Sequence, residues 1–268
     1  QIVAEERVPT TSPAQTLAAS ARFFLAQREQ GFHFDQMGIA SFGPVDLHRH
    51  SPSFGYITKT PKPGWSDTPV ATFFEDTFNC GVEIDTDVNA AALAEYRWGA
   101  GQGKEVVIYI TVGTGVGGGV VINGRPLHGL VHPEMGHMLV APASGKKGTC
   151  PYHTSCVEGL VCGAALHKIY GQPAETFESG HPAWSHVADV LGQLCHNLIV
   201  MYSPGKIILG GGVMQQPGLI DAIGQKAALY LNDYVVFPSQ VSVSDIIAPT
   251  GLGTRSGVMG ALALLKSD

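Results

Sequence analysis

At 268 residues the chain is long enough for one large domain or two of ordinary size, with ample apolar material for a core. Hydrophobic residues make up 44%, charged residues only 14%, and glycine occupies 34 positions, a composition of α/β proteins with many tight turns and not of disordered or fibrous chains. The net charge of −6, with no lysine or arginine run, argues against a nucleic-acid groove or an anionic membrane surface, and the apolar stretches break well short of a bilayer span.

The opening residues, from Gln1 through Glu5, Glu6 and Arg7, are too polar for a signal peptide, and residues 2–8 read as a short edge strand. Ser12-Pro13-Ala14-Gln15 reads as a helix start, with Ser12 as cap, Pro13 in the first turn and Gln15 closing a capping box. Leu17, Ala21, Phe24 and Leu25 then share one helical face. Residues 37–41 form a short apolar strand running into Phe42-Gly43-Pro44-Val45-Asp46, a strand-end turn that either lines a cleft or is a plain turn.

Residues 60–65, Thr-Pro-Lys-Pro-Gly-Trp, read as an extended connector, and Thr68-Pro69 opens an amphipathic helix with Val70, Phe73, Phe74 and Phe78 inward. A strand over residues 82–86 breaks at Asp87, where an alanine-rich helix begins and runs to about Trp98. That junction either projects Asp87 into the crevice beyond the strand ends or uses it as an N-cap. The polar stretch 99–103 reads as a flexible hinge and domain boundary.

Strands over 106–112 and 119–122 flank the glycine turn Gly113-Thr114-Gly115-Val116-Gly117-Gly118-Gly119, and Asn123-Gly124 signals a type I′ hairpin. Glycines of this kind let backbone N–H groups approach phosphate, although a loose strand pair gives the same pattern. The turn lacks the Gly-Lys-Ser/Thr ending of a P-loop and the following helix of a Rossmann unit. Further on, helices are expected over 158–170, 182–202, 217–231 and 255–266. Strands are expected over 206–209, ending in Gly210-Gly211-Gly212, and over 241–247. The alternation, with hairpins inserted, indicates two α/β domains and not a barrel.

His137, Cys150, His153 and Cys156 offer two imidazoles and two thiolates, a set suited to tetrahedral zinc with no position left for water, hence structural. The alternatives are a Cys150–Cys156 disulfide or no bond. Of the five cysteines, Cys80, Cys162 and Cys195 lie in apolar surroundings as reduced thiols, which fits a cytoplasmic, reducing compartment.

Taken together, residues 41–47, Thr86-Asp87-Val88-Asn89 with the alanines after it, the 113–119 turn, His132-Pro133-Glu134-Met135-Gly136-His137, the Cys-x-x-His-x-x-Cys cluster with Glu158-Gly159, and Leu209-Gly210-Gly211-Gly212 form an ordered set. In that order they resemble the ROK sugar kinases (repressor, open reading frame, kinase), and within them the zinc-containing bacterial fructokinases. The resemblance implies an actin-like ATPase fold of the ribonuclease H-like type: an N-terminal α/β domain over 1–103, a C-terminal one over 104–254 with a zinc loop at 137–156, a cleft between them, and the helix 255–268 packed back on the first. It implies ATP-dependent phosphorylation of a hexose, foremost D-fructose to fructose 6-phosphate, with Asp87 as general base. Gly43, Pro44, Glu134, His137 and Glu158 would surround the sugar. Gly113, Thr114 and Gly115 would cradle phosphate, and Gly210, Gly211 and Gly212 would pass beneath the adenosine. ATP, Mg²⁺ and structural Zn²⁺ are the implied cofactors, and a homodimer binding only small molecules the implied assembly.

Two features depart from the family. Thr86 stands where many relatives have asparagine, as in the fructokinase branch. The family's opening strand, Asp-x-Gly-Gly-Thr loop and second strand have no counterpart, so the sequence reads as a fragment or as an impaired kinase; the fragment is favoured because losing two strands from a sheet leaves backbone edges unpaired. The competing readings are a sugar-sensing effector domain of the repressor type and a glucose or N-acetylhexosamine kinase of the same superfamily.

Overall fold

The computed structural model describes residues 2–265, so Gln1 and the last residues of the expected C-terminal helix, from Lys266 on, lie outside it. Helix α1 (Pro13–Glu29) starts at the proline as expected, but Ser12 makes no side-chain cap; the Thr11 N–H bonds the Thr16 hydroxyl instead, at 2.9 Å. Residues 2–8 pair with no strand, and Leu25 faces solvent, so the inward stripe is Leu17, Ala21 and Phe24. Strand β1 (Gln36–Ser41) runs parallel to a later strand, while β2 (Tyr56–Ile57) and β3 (Thr68–Pro69) form a small antiparallel pair. Thr68-Pro69 is therefore a strand and not a helix start; Pro69 is tolerated at the end of such a strand, and α2 (Val70–Phe78) begins directly after it. β1 pairs with β4 (Gly81–Thr86), placing Ser41 opposite Thr86.

Helix α3 (Asp87–Trp98) leads into β5 (Val106–Val112), β6 (Val116–Ile122) and β7 (Arg125–Pro126). Asn123 and Gly124 both take positive φ, 49° and 77°, as a type I′ turn requires. The helix expected over 158–170 is two, α4 (Val157–Val161) and α5 (Gly163–Tyr170), broken at Cys162, whose sulfur accepts the Ala165 N–H. Next come α6 (Pro182–Tyr202), β8 (Lys206–Gly210) and α7 (Leu219–Leu231). The strand expected over 241–247 is the one-turn helix α8 (Val243–Ile246) followed by β9 (Ile247–Pro249). Asp245 accepts from both the backbone N–H and the hydroxyl of Ser242, a local bond that favours a helical turn over the β-propensity of the valines. Helix α9 (Ser256–Leu264) closes the described chain.

The main sheet has the order β7-β6-β5-β8-β9, antiparallel through β7-β6-β5 and parallel from β5 to β9. Ile108, Ile110, Ile207 and Leu209 point into the core beneath α6 and α7, whereas Val107, Tyr109 and Ile208 point to α3 and α9. Both faces are covered, which explains why these strands read as continuous apolar runs. α9 packs on α3 and on β1, joining the main sheet to the β1–β4 pair. Glu95 of α3 is fully buried. Its carboxylate accepts from the N–H groups of Ala100, Gly251 and Leu252 and from the Ser256 hydroxyl, at 2.8–3.1 Å. The start of the 99–103 stretch is thus tied down where it enters the sheet, together with the turn that leaves β9.

Candidate active site and metal centre

At the end of β4 three consecutive residues take separate tasks. Thr86 is the N-cap of α3: its backbone is extended and its hydroxyl oxygen accepts the Asn89 N–H at 3.2 Å. Asp87 is therefore released from capping and stands in the first helical turn, its Oδ1 accepting only the Val88 N–H at 2.9 Å. Water reaches the Asp87 side chain, yet the surrounding walls strip away enough bulk solvent to hold its carboxyl above the usual aspartate range, against the opposing pull of Lys62 and His132. Asp85, by contrast, is buried and committed. It accepts from Thr86 N–H (2.7 Å) and Asn89 Nδ2 (2.8 Å), and it pairs with His128 Nε2 at 2.8 Å, which raises the histidine's pKa.

The strand-end turn after β1 reaches the same region. A Cβ on Gly43 would stand 3.2 Å from His132 Nε2, and the Thr60 hydroxyl donates to the Gly43 carbonyl at 3.4 Å. Pro44 lines a cavity of about 330 Å³ together with His48, His128, His132 and Glu134. Glu134 Oε1 lies 3.4 Å from His132 Nδ1, and His48 Nε2 meets the Leu130 carbonyl at 2.8 Å, so the turn and the 128–134 segment face each other directly. Sequence reasoning passed over Asp85, His128 and His132 as site residues; the His-x-Glu spacing of His132 and Glu134 was the available signal.

His137, Cys150, His153 and Cys156 converge, with one ligand atom of each lying within 4.8 Å of the others. Cys150 Sγ is 3.7 Å from His153 Nδ1 and 4.0 Å from His137 Nδ1, spacings that fit four ligands around one tetrahedral ion, and all five cysteines are free thiols, not disulfides. The donor set therefore fits Zn²⁺, which would be held by these four side chains and would lock the loop. That loop is also tied to α6, by Asp189 accepting the Ala143 N–H and by Ser144 bonding His186 Nδ1. With Nδ1 turned to the metal ligands, His137 Nε2 faces Glu158 Oε1 at 3.8 Å, and Glu158 Oε2 accepts the Val116 N–H at 2.9 Å. A metal held by the loop would orient the imidazole against Glu158.

Gly210, Gly211 and Gly212 line a second cavity, of about 780 Å³, together with Thr111, Thr250 and Ser256. It opens beyond the C-terminal ends of β5, β8 and β9, where open α/β sheets bind ligands, and it is of the size of small-molecule sites. Gly113, Thr114 and Gly115 do not line it. They form the tip of the β5–β6 hairpin, and a Cβ on Gly115 would stand 2.7 Å from Glu158 Oε2. Gly117, Gly118 and Gly119 belong to β6, where the backbone passes against Met135 and the start of α3. Gly117, Gly118 and Gly119 serve close packing, a tertiary requirement that a glycine-rich sequence does not distinguish from a loose turn.

The arrangement supplies a carboxylate of raised basicity at a strand end, further carboxylates and imidazoles able to bond hydroxyls, and a glycine-floored cavity. The model of the ROK family matches residues 1–268. The fructokinase of Zymomonas mobilis subsp. mobilis is 45% identical over 270 residues, covering 98% of this chain and 89% of that protein. Among solved structures, the ROK hexokinase of Thermus thermophilus superposes with a TM-score of 0.77 at 29% identity, over 96% of this chain and 87% of that one. A ROK family glucokinase of Streptomyces griseus, solved in complex with glucose and AMPPNP, superposes at 0.72 with 25% identity, over 93% of this chain and 87% of that one. No helix among the described residues is long and apolar enough to cross a membrane.

Proposed function

The chain belongs to the ROK family and is a sugar kinase, and we propose that it transfers the γ-phosphoryl group of ATP to D-fructose, giving fructose 6-phosphate. The observation that carries the reading is Asp87: Thr86 takes over the cap, and the freed carboxylate stands at a strand end with its basicity raised by desolvation. Fructose as substrate rests on the relatives named fructokinase, of which the Zymomonas protein matches nearly the whole chain.

In the proposed reaction the sugar lies between the Gly43-Pro44 turn and Glu134, with His137 and Glu158 on its far side. The 6-hydroxyl oxygen forms a new bond to the γ-phosphorus while the bond from that phosphorus to the β,γ-bridging oxygen breaks. ADP leaves with the electron pair, and the hydroxyl proton passes to Asp87. Phosphoryl transfer asks more of positioning than of proton abstraction, so the main task of Asp87 is to aim the hydroxyl. The nucleotide would lie over Gly210, Gly211 and Gly212, a placement supported by the size and strand-end position of that cavity. Mg²⁺ would enter with ATP as the counter-ion of its phosphates. Zn²⁺ would be structural, since four protein ligands leave no open position. The free thiols support a reducing, cytoplasmic setting.

The test is a panel of fructose, glucose, mannose and N-acetylhexosamines assayed for sugar-dependent ADP formation. Fructose should give the highest kcat/KM; preference for another sugar by more than about tenfold overturns the substrate assignment.

A further inference from the structure

We infer that Lys62 is a phosphate-binding residue of this site, set to hold the phosphoryl group as it passes to the sugar; the inference rests on the sugar-kinase reading. Lys62 lies in the connector over residues 60–65, which no step above uses. That connector is built rigidly. Trp65 is buried, its Nε1 donates to the Thr11 carbonyl at 2.8 Å, and its ring meets Phe42 edge-on at 5.1 Å. The Trp65 N–H bonds the Lys62 carbonyl, the Lys62 N–H bonds Thr60 Oγ1, and Thr60 in turn donates to Gly43. The lysine's Nζ rests 3.6 Å from the centroid of Phe42, the residue before Gly43. The connector thereby sets a cation over a ring beside the sugar turn.

Apart from the ring, that cation has no charged partner: among the described residues no carboxylate lies within ion-pair distance of Nζ, although the proposed site holds the carboxylates Asp87, Glu134 and Glu158. Three carboxylates repel an incoming polyphosphate, and charge developing on a transferred phosphoryl group is stabilised by a preorganised cation. The β1–β4 register pairs Ser41 with Thr86, so Phe42, under the lysine, follows Ser41 as Asp87 follows Thr86, and Asp87 is the group next to which that phosphoryl must arrive if it takes the proton.

Lys62→Met keeps an apolar stem on Phe42 and removes the charge; Lys62→Arg keeps both. Lys62→Met should lower kcat about 10- to 100-fold while the sugar KM stays within about threefold. Calorimetry should show sugar 6-phosphate binding weakened and free-sugar binding unchanged, and Lys62→Arg should restore most of the rate. A kcat within about twofold of wild type, a change confined to the sugar KM, or an arginine variant as impaired as the methionine one overturns the inference. A wild type inactive on every hexose removes the sugar-kinase reading and this inference together. An active wild type with an indifferent Lys62→Met removes the inference alone.

Discussion

Replacing Gly119 with alanine tests whether the packing of β6 sets the position of Asp87. Gly119 sits in β6 opposite Tyr109, beneath the first turn of α3. A Cβ there would lie 2.5 Å from the Val88 carbonyl oxygen and 2.7 Å from Asn89 Cα and N, all backbone atoms that cannot swing aside. Against a floor of 3.0 Å for real Cβ contacts, the helix start must retreat by at least about 0.5 Å, the difference between 3.0 and 2.5. Overpacking of this kind costs about 1–3 kcal/mol, or about 2–4 °C of Tm for each kcal/mol in a chain of this order of size. Asp87 precedes Val88 directly and moves with it, and a misplacement of this scale lowers kcat by about 10- to 100-fold. Gly224→Ala in α7 is the control: nothing lies within 4 Å of its Cβ, so it should keep full kcat and gain about 0.5–1 kcal/mol of stability. Thermal melts and steady-state kinetics on both variants decide the matter. A Gly119→Ala protein with wild-type kcat, whatever its Tm, refutes the coupling of β6 packing to the base.

Chelation of the metal should lower Tm by several degrees, because an ion bound only by the native loop adds folding free energy; elemental analysis should find one zinc per chain, and unchanged melting with no zinc removes the centre. The kcat/KM profile should fall on the acid side at a pH above the ordinary aspartate value of 3.8, since Asp87 must be ionised and its folded pKa is raised by desolvation. The stability sign is the reverse: the folded state binds that proton more tightly, so stability from this group is lost as pH rises from 3.8 through the raised value. Asp87→Asn should accordingly melt no lower than wild type at neutral pH; a clear loss of Tm contradicts the desolvation. Glu95→Ala strands three backbone N–H groups and a hydroxyl in the core and should cost about 3–5 kcal/mol in urea unfolding, with Glu95→Gln milder; a cost below about 1 kcal/mol denies the carboxylate its tying role.

What the sequence made legible follows the range of the interaction. The candidate metal group was readable because three of its members, Cys150, His153 and Cys156, fall in one seven-residue loop, and the structure brings all four side chains together. Asp87 was readable as a strand-to-helix junction, but its release from capping depended on which neighbour turned extended, and Thr86 did. The triple glycine of β6 was misread because its cause, the approach of Met135 and α3, lies outside the segment. Residues 241–247 looked like a strand by their valines, although the Ser242–Asp245 spacing carried the helical signal. Glu95 and Asp85 were passed over because, beside local bonds, each has partners far along the chain, at 251–256 and at His128.

Sugar-dependent ADP formation by Asp87→Asn, with sugar and nucleotide binding measured alongside, tests the assignment of the base most directly. The account predicts that kcat falls by about 10²- to 10⁴-fold while both ligands still bind. An asparagine variant that turns over within a few-fold of wild type would contradict it.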